Sequence, residues 1–169
     1  MKTLENPRLA AIRDTSIDDN NGLGTTSWQP SILIIDDYEN MRNFIQAVVS
    51  TKINCRTVDV ATSEEALSLA DKDEFDLVIS DLFREGLNGF QFLKLFKKAH
   101  KNVPVIIVSG RLESANERRA YRLGAFNCMS KPFITLRLLS AVSEALEYRK
   151  AKINHTKIRM SPKPGSWNS

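Results

Sequence analysis

Two unbroken aliphatic runs, Ile32-Leu33-Ile34-Ile35 and Val105-Ile106-Ile107-Val108, constrain this chain more than any other feature. A strand with one wetted face alternates apolar and polar residues. A run without alternation suits a strand covered on both sides, as in a parallel sheet with helices packed on each face. Both runs are far short of the roughly 20 apolar residues needed to cross a bilayer. Stretches of strand character at 32–35, 55–60, 75–80, 104–108 and 126–130 alternate with stretches of helical periodicity. That order predicts an α/β fold: a five-stranded parallel sheet, doubly wound, with five flanking helices.

The helical stretches are legible from their apolar spacing. Met41, Phe44, Ile45, Val48 and Val49 recur on one face of the first. The second opens at Ser63, read as an N-cap with Glu64 and Glu65 in the first turn, and runs to about residue 70. Phe90, Leu93, Leu95 and Phe96 mark the third, which closes near His100. A charged fourth helix runs from about 112 to 123, and Leu136, Leu139, Val142, Ala145 and Leu146 mark the last. Gly86 and Gly89 read as positions permitting positive φ. His100 and His155 read as solvated, and Cys128 as a small core residue.

Charge divides the chain. Its 169 residues carry 24 Lys+Arg against 20 Asp+Glu, a net +4 that by itself suggests an anionic partner. Six of the bases (Arg149, Lys150, Lys152, Lys157, Arg159 and Lys163) fall within 149–169, which has no acid, leaving 18 against 20 before it. The expected organisation is a flexible extension at 1–29, one domain at 31–148 and a basic, partly disordered tail at 149–169. The extension holds a helix-compatible stretch at 8–13 and a polar run, Asp18 to Ser27. The basic stretch reads first as a solvated extension of the final helix, ending before Pro162, and second as a contact for an anionic partner. It is too short for a helix-turn-helix, so no specific DNA-binding domain is expected. Cys55 and Cys128 lack the paired spacing of a disulfide framework or zinc site. The N-terminus lacks a signal peptide's apolar core, so the expected location is cytoplasmic.

In an open parallel sheet, ligands bind beyond the carboxyl ends of the strands. The first strand delivers Asp36 and Asp37 there, the third Asp81, the fourth Ser109 and the fifth Lys131. Three converging carboxylates repel one another unless a cation joins them, and hard oxygen donors suit Mg²⁺. With Mg²⁺ present a phosphoryl group fits, its remaining oxygens met by the Lys131 ammonium and the Ser109 hydroxyl. Asp81, alone on its strand, is the candidate nucleophile for an aspartyl phosphate, leaving the adjacent pair for the metal.

These residues, with Asp76-Leu77-Val78-Ile79-Ser80-Asp81, Gly86-Leu87-Asn88-Gly89, Ser109-Gly110 and Gly124 through Lys131-Pro132-Phe133, give residues 31–148 a plain resemblance to the receiver domain of two-component response regulators. The resemblance implies a flavodoxin-like sheet in the order 2-1-3-4-5. It implies that Asp81 is the phosphoacceptor, that Asp36, Asp37, Asp81 and the Phe83 backbone carbonyl hold Mg²⁺, and that Ser109 and Lys131 contact the phosphoryl group. The implied partners are a histidine kinase or histidine phosphotransfer protein, an unidentified output protein and, as a further assembly, a homodimer. The lysine–proline peptide is commonly cis in the family.

Two positions depart from the family pattern. Cys128 stands where a switch Tyr or Phe is usual and is too small to act by the same swing, and Glu85 replaces a common proline. The leading reading is a stand-alone receiver that signals through protein contacts and is not an enzyme. The alternative is a phosphorylation-independent adaptor docking a partner through the fourth helix, fifth strand and last helix, where Arg118, Arg119 and Arg122 form a basic face. A hydrolase of external phosphoesters would want an acid two residues after Asp81, where Phe83 stands. Flavin mononucleotide would want a loop of hydroxyls and amides where Asp36 and Asp37 stand.

Overall fold

The computed structural model describes residues 28–83 and 86–160, the last four as backbone. The expectations for residues 8–13, for Glu85 and for the end of the chain beyond Met160 lie outside the described residues. Ten elements alternate: β1 (Ser31–Ile35), α1 (Glu39–Ser50), β2 (Arg56–Val60), α2 (Ser63–Ala70), β3 (Leu77–Ser80), α3 (Gly89–Ala99), β4 (Val105–Ser109), α4 (Ser114–Arg122), β5 (Asn127–Ser130) and α5 (Thr135–Met160). All pairings are parallel and the order is β2-β1-β3-β4-β5.

The aliphatic runs occupy the central strands, and alternate residues supply opposite faces. Leu33, Ile35, Val78, Val105 and Ile107 belong to the cluster packed under α2, α3 and α4. Ile32, Ile34, Leu77, Ile79, Ile106 and Val108 belong to the cluster under α1 and α5. Burying an Ile or Leu contributes about 1.5–3 kcal/mol, so shifting a strand by one residue would exchange these contributions across the whole sheet.

Several boundaries and faces differ from the sequence expectation. α2 is capped by Thr62, whose hydroxyl accepts from the Glu65 amide at 3.2 Å, while Ser63 is buried as the first helical residue. On α3, Phe92 is fully buried and Leu95 is 48% exposed, because Phe92 and Phe96 lie one turn apart and stack over the sheet. α5 begins before Leu136, which is 74% exposed, and buries Leu138, Ala141, Val142, Ala145 and Leu146. His100 is not solvated: its ring stacks on Phe96 with centroids 4.7 Å apart. Gly86 has φ +79°, as expected, but Gly89 is required for a different reason: a Cβ there would lie 2.5 Å from the Asp81 carbonyl oxygen.

α5 crosses residue 148 without a break. Nothing between Ala145 and Met160 is Gly or Pro, so 26 residues form one helix about 39 Å long. No described helix is long and apolar enough to cross a membrane.

Candidate phosphoacceptor site

Register brings the chemistry-bearing residues together. Ile35 of β1 pairs with Ser80 of β3, so Asp36 and Asp81 emerge side by side at the ends of adjacent strands. Ser109 of β4 pairs with Ser130 of β5, and the Lys131 amide donates to the Ser109 carbonyl at 2.9 Å. The Lys131–Pro132 peptide is cis.

Lys131 spans the pair of strands. Its Nζ donates to Asp36 Oδ2 at 2.5 Å and to Asp81 Oδ2 at 2.7 Å. Burial by itself lowers the affinity of this amine for its proton. The hydrogen bonds and charges of Asp36 and Asp81 outweigh that, and its pKa stands above the ordinary lysine value. Asp81 Oδ1 accepts from the amides of Leu82 and Phe83, and Asp36 Oδ1 from the Tyr38 amide at 2.9 Å. These bonds fix the two buried carboxylates before anything binds.

Asp37 differs from its neighbour. It is exposed and does not cap α1, whose N-cap is Tyr38. Oxygens of Asp36, Asp37 and Asp81 all lie within 4.8 Å of one another. Three convergent carboxylates with one lysine are a hard-oxygen donor set still in excess of negative charge, which fits a small divalent cation such as Mg²⁺. A cavity of about 460 Å³ opens over them, lined by Asp37, Tyr38, Asp81, Phe83, Ser109 and Arg111 among others. Arg111 is a site residue that the sequence reading passed over. Its guanidinium sits 5.9 Å from the centre of the Phe83 ring, and its place two residues after Ser109 was the available signal.

The family model for the response regulator receiver domain matches residues 32–143. The chain belongs to this family. A putative NtrX-like response regulator of Rickettsia typhi is 32% identical over 127 residues, covering 73% of this chain but 26% of that protein. The C4-dicarboxylate transport transcriptional regulatory protein DctD of Pseudomonas aeruginosa is 30% identical over 136 residues, 79% of this chain and 29% of its own length. The chain therefore spans about a quarter of the length of these relatives. Among solved structures, NtrX from Brucella abortus in complex with ADP superposes with a TM-score of 0.71 at 28% identity, covering 80% of this chain and 31% of that one. The signal receiver domain of an HD domain-containing protein from Pseudomonas fluorescens gives 0.69 at 25% identity, covering 73% of this chain and 99% of that one. Receivers are signalling domains that bind Mg²⁺ through acidic residues and interact with histidine kinases or phosphotransfer proteins.

On the fifth strand the residue three before Lys131 is Cys128. Cys128 is 6% exposed, in the cluster beneath α4. Burial, then the charge of Glu117, push its thiol up to about 12, against a smaller opposing effect of a hydrogen bond with Tyr121. An α4 tyrosine thus abuts the small β5 residue, which is a core thiol rather than a reactive one.

Proposed function

We propose that this protein accepts a phosphoryl group on Asp81 from a phosphohistidine of a histidine kinase or phosphotransfer protein, and signals through protein contacts. The observation that carries this reading is the double bond of the Lys131 ammonium to Asp36 and Asp81 beside the exposed Asp37 carboxylate. A carboxylate acceptor, a cation and an acid pair competent to bind a metal within reach of one another support that chemistry. In the reaction an Asp81 oxygen attacks phosphorus, the P–N bond breaks, and the leaving imidazole nitrogen takes a proton. Asp36, Asp37, Asp81 and the Phe83 backbone carbonyl would hold Mg²⁺, which when bound supplies positive charge to phosphoryl oxygens. The Lys131 ammonium exchanges a carboxylate partner for a phosphoryl oxygen, and the Ser109 hydroxyl donates to another. The chain turns over no external substrate in this scheme.

Incubation with acetyl phosphate and Mg²⁺ should add one phosphoryl group by intact mass, and Asp81→Ala should remove it. Undiminished labelling of that variant would overturn the assignment.

The phosphorylation-independent adaptor has one observation in its favour. Cys128 is buried and bonded to Tyr121, so no aromatic at that position is available to swing. Partner capture by the unphosphorylated chain at an affinity unchanged by beryllofluoride would favour the adaptor, and a clear shift would remove it.

A further inference from the structure

The domain is electrically lopsided. Residues 31–88 carry 12 acids and 5 bases, whereas residues 89–125 carry 8 bases and 2 acids, Glu113 and Glu117. The second set lies on α3, α4 and the loops beside them.

The two helices adjoin. The Arg119 guanidinium of α4 lies 4.2 Å from the centre of the Phe90 ring on α3. At the other end, a Cβ on Gly124 would meet the Lys97 side chain at 3.3 Å. Phe90, Lys94 and Lys97 follow one another at helical spacing of four and three residues, so Lys94 sits between two contacts that face α4, and Lys101 follows in the turn after the helix. Arg118, Arg119 and Arg122 form the opposite bank, all exposed. Among the described residues none of Lys94, Lys101, Arg118, Arg119 or Arg122 forms an ion pair. Lys97 alone is tethered, donating to the carbonyls of Lys101 and Val103 at 2.7 and 2.8 Å.

We propose that the groove between α3 and α4 binds the phosphodiester backbone of a nucleic acid, without reading its sequence. Two features favour that occupant over an acidic protein or a membrane. Five of these cations (Lys94, Lys101, Arg118, Arg119 and Arg122) are exposed and three of those are arginines, whose planar forks match phosphate. The groove also lacks an apolar anchor. Leu95, the exposed apolar residue of α3, is turned about 100° from Lys94, and Tyr121 leans toward Cys128 on the far flank of α4. A protein helix or lipid surface would have little to bury there, while a phosphate chain needs only charge. The cationic surface ends below α3, where Arg149 of α5 is paired with Asp76 at 3.2 Å.

The test is fluorescence anisotropy of labelled mixed-sequence DNA duplex and single-stranded RNA, titrated with the full chain at several salt concentrations. Binding of either in the micromolar range near 0.15 M salt is expected, with log affinity falling against log salt at a slope of about −4. The triple variant Lys94→Gln, Arg118→Gln, Arg122→Gln should lose at least tenfold in affinity and flatten that slope by about 2 to 3. The pair Lys52→Gln and Lys72→Gln, exposed on the acidic half, should leave binding unchanged. An equal loss in that control pair would reduce the effect to net charge and overturn the groove. So would competition by polyglutamate at equal charge, or sedimentation with phosphatidylserine vesicles without any anisotropy change. Acetyl-phosphate labelling of the triple variant reports separately on Asp81, so failure of the groove and failure of the phosphoacceptor are distinguishable.

Discussion

Glu64, in the first turn of α2, accepts a hydrogen bond from the backbone amide of Leu87 at 2.9 Å, tying that helix to the loop that follows Asp81. The same carboxylate stands where a side chain on Gly86 would begin, 3.2 Å from an ideal Cβ. Glu64→Ala should leave this amide without its acceptor and loosen the segment carrying the proposed Phe83 ligand. A bond of this kind is worth about 1 kcal/mol net. The apparent Mg²⁺ dissociation constant should therefore rise roughly fivefold, with little change in melting temperature. Titration calorimetry of the variant checks this, and unchanged affinity would show that the loop holds itself.

Asp37 adds a third negative charge to a pair already shared by one lysine. Asp37→Asn should stabilise the metal-free protein by about 0.5–1 kcal/mol, the value being held down by its exposure. It should also abolish the rise in melting temperature on adding Mg²⁺. Scanning calorimetry in EDTA and in Mg²⁺ measures both effects.

Gly89→Ala forces a Cβ to within 2.6 Å of Leu82 Cα as well as against the Asp81 carbonyl. The three nearest atoms are all backbone of Asp81 and Leu82, so no flexible side chain can yield. A loss of about 3 kcal/mol in urea denaturation is expected, together with slower phosphoryl uptake as Asp81 is displaced.

Cys128 gives a pH signature. Its native thiol ionises at about 12, whereas the unfolded thiol ionises near 8.5. Above pH 8.5 the unfolded chain releases a proton that the folded chain keeps, so this contribution to stability is full below that pH and is lost as pH rises toward 12. Cys128→Ala should flatten the decline. In native protein at pH 8, Cys128 should resist a disulfide-exchange reagent and react once guanidinium is added.

Phe92→Ala should cost about 3–5 kcal/mol and Leu95→Ala less than about 0.5, from the full burial of one and the exposure of the other. Comparable losses in urea denaturation would contradict the observed face of α3.

That pair shows where sequence reading stopped. The alternation of strands and helices was legible, because unbroken aliphatic runs admit few environments; the strand order came from the family resemblance, and the convergence of Asp36, Asp81 and Lys131 from their places at strand ends. The face of α3 was not legible. Residues 90–96 are apolar at five of seven positions, so periodicity alone does not choose between Leu95 and Phe92. Gly89 failed for a related reason: φ freedom is local, whereas the close approach of Asp81 is tertiary. Thr62 and Ser63 are both competent caps, and only the burial of Ser63 separates them. Arg111 carries no motif of its own and acquires meaning only from the ring of Phe83 beneath it.

The unbroken α5 makes the chain a lever. Its first turn lies just beyond the cis Lys131–Pro132 peptide, and its last described residue is about 39 Å away. Pivoting such a rod by roughly 5° about its first turn carries its far end sideways by about 3 Å. A displacement too small to disturb the packing of Leu138 and Val142 is thereby enlarged along a helix already bearing exposed Lys150 and Lys152.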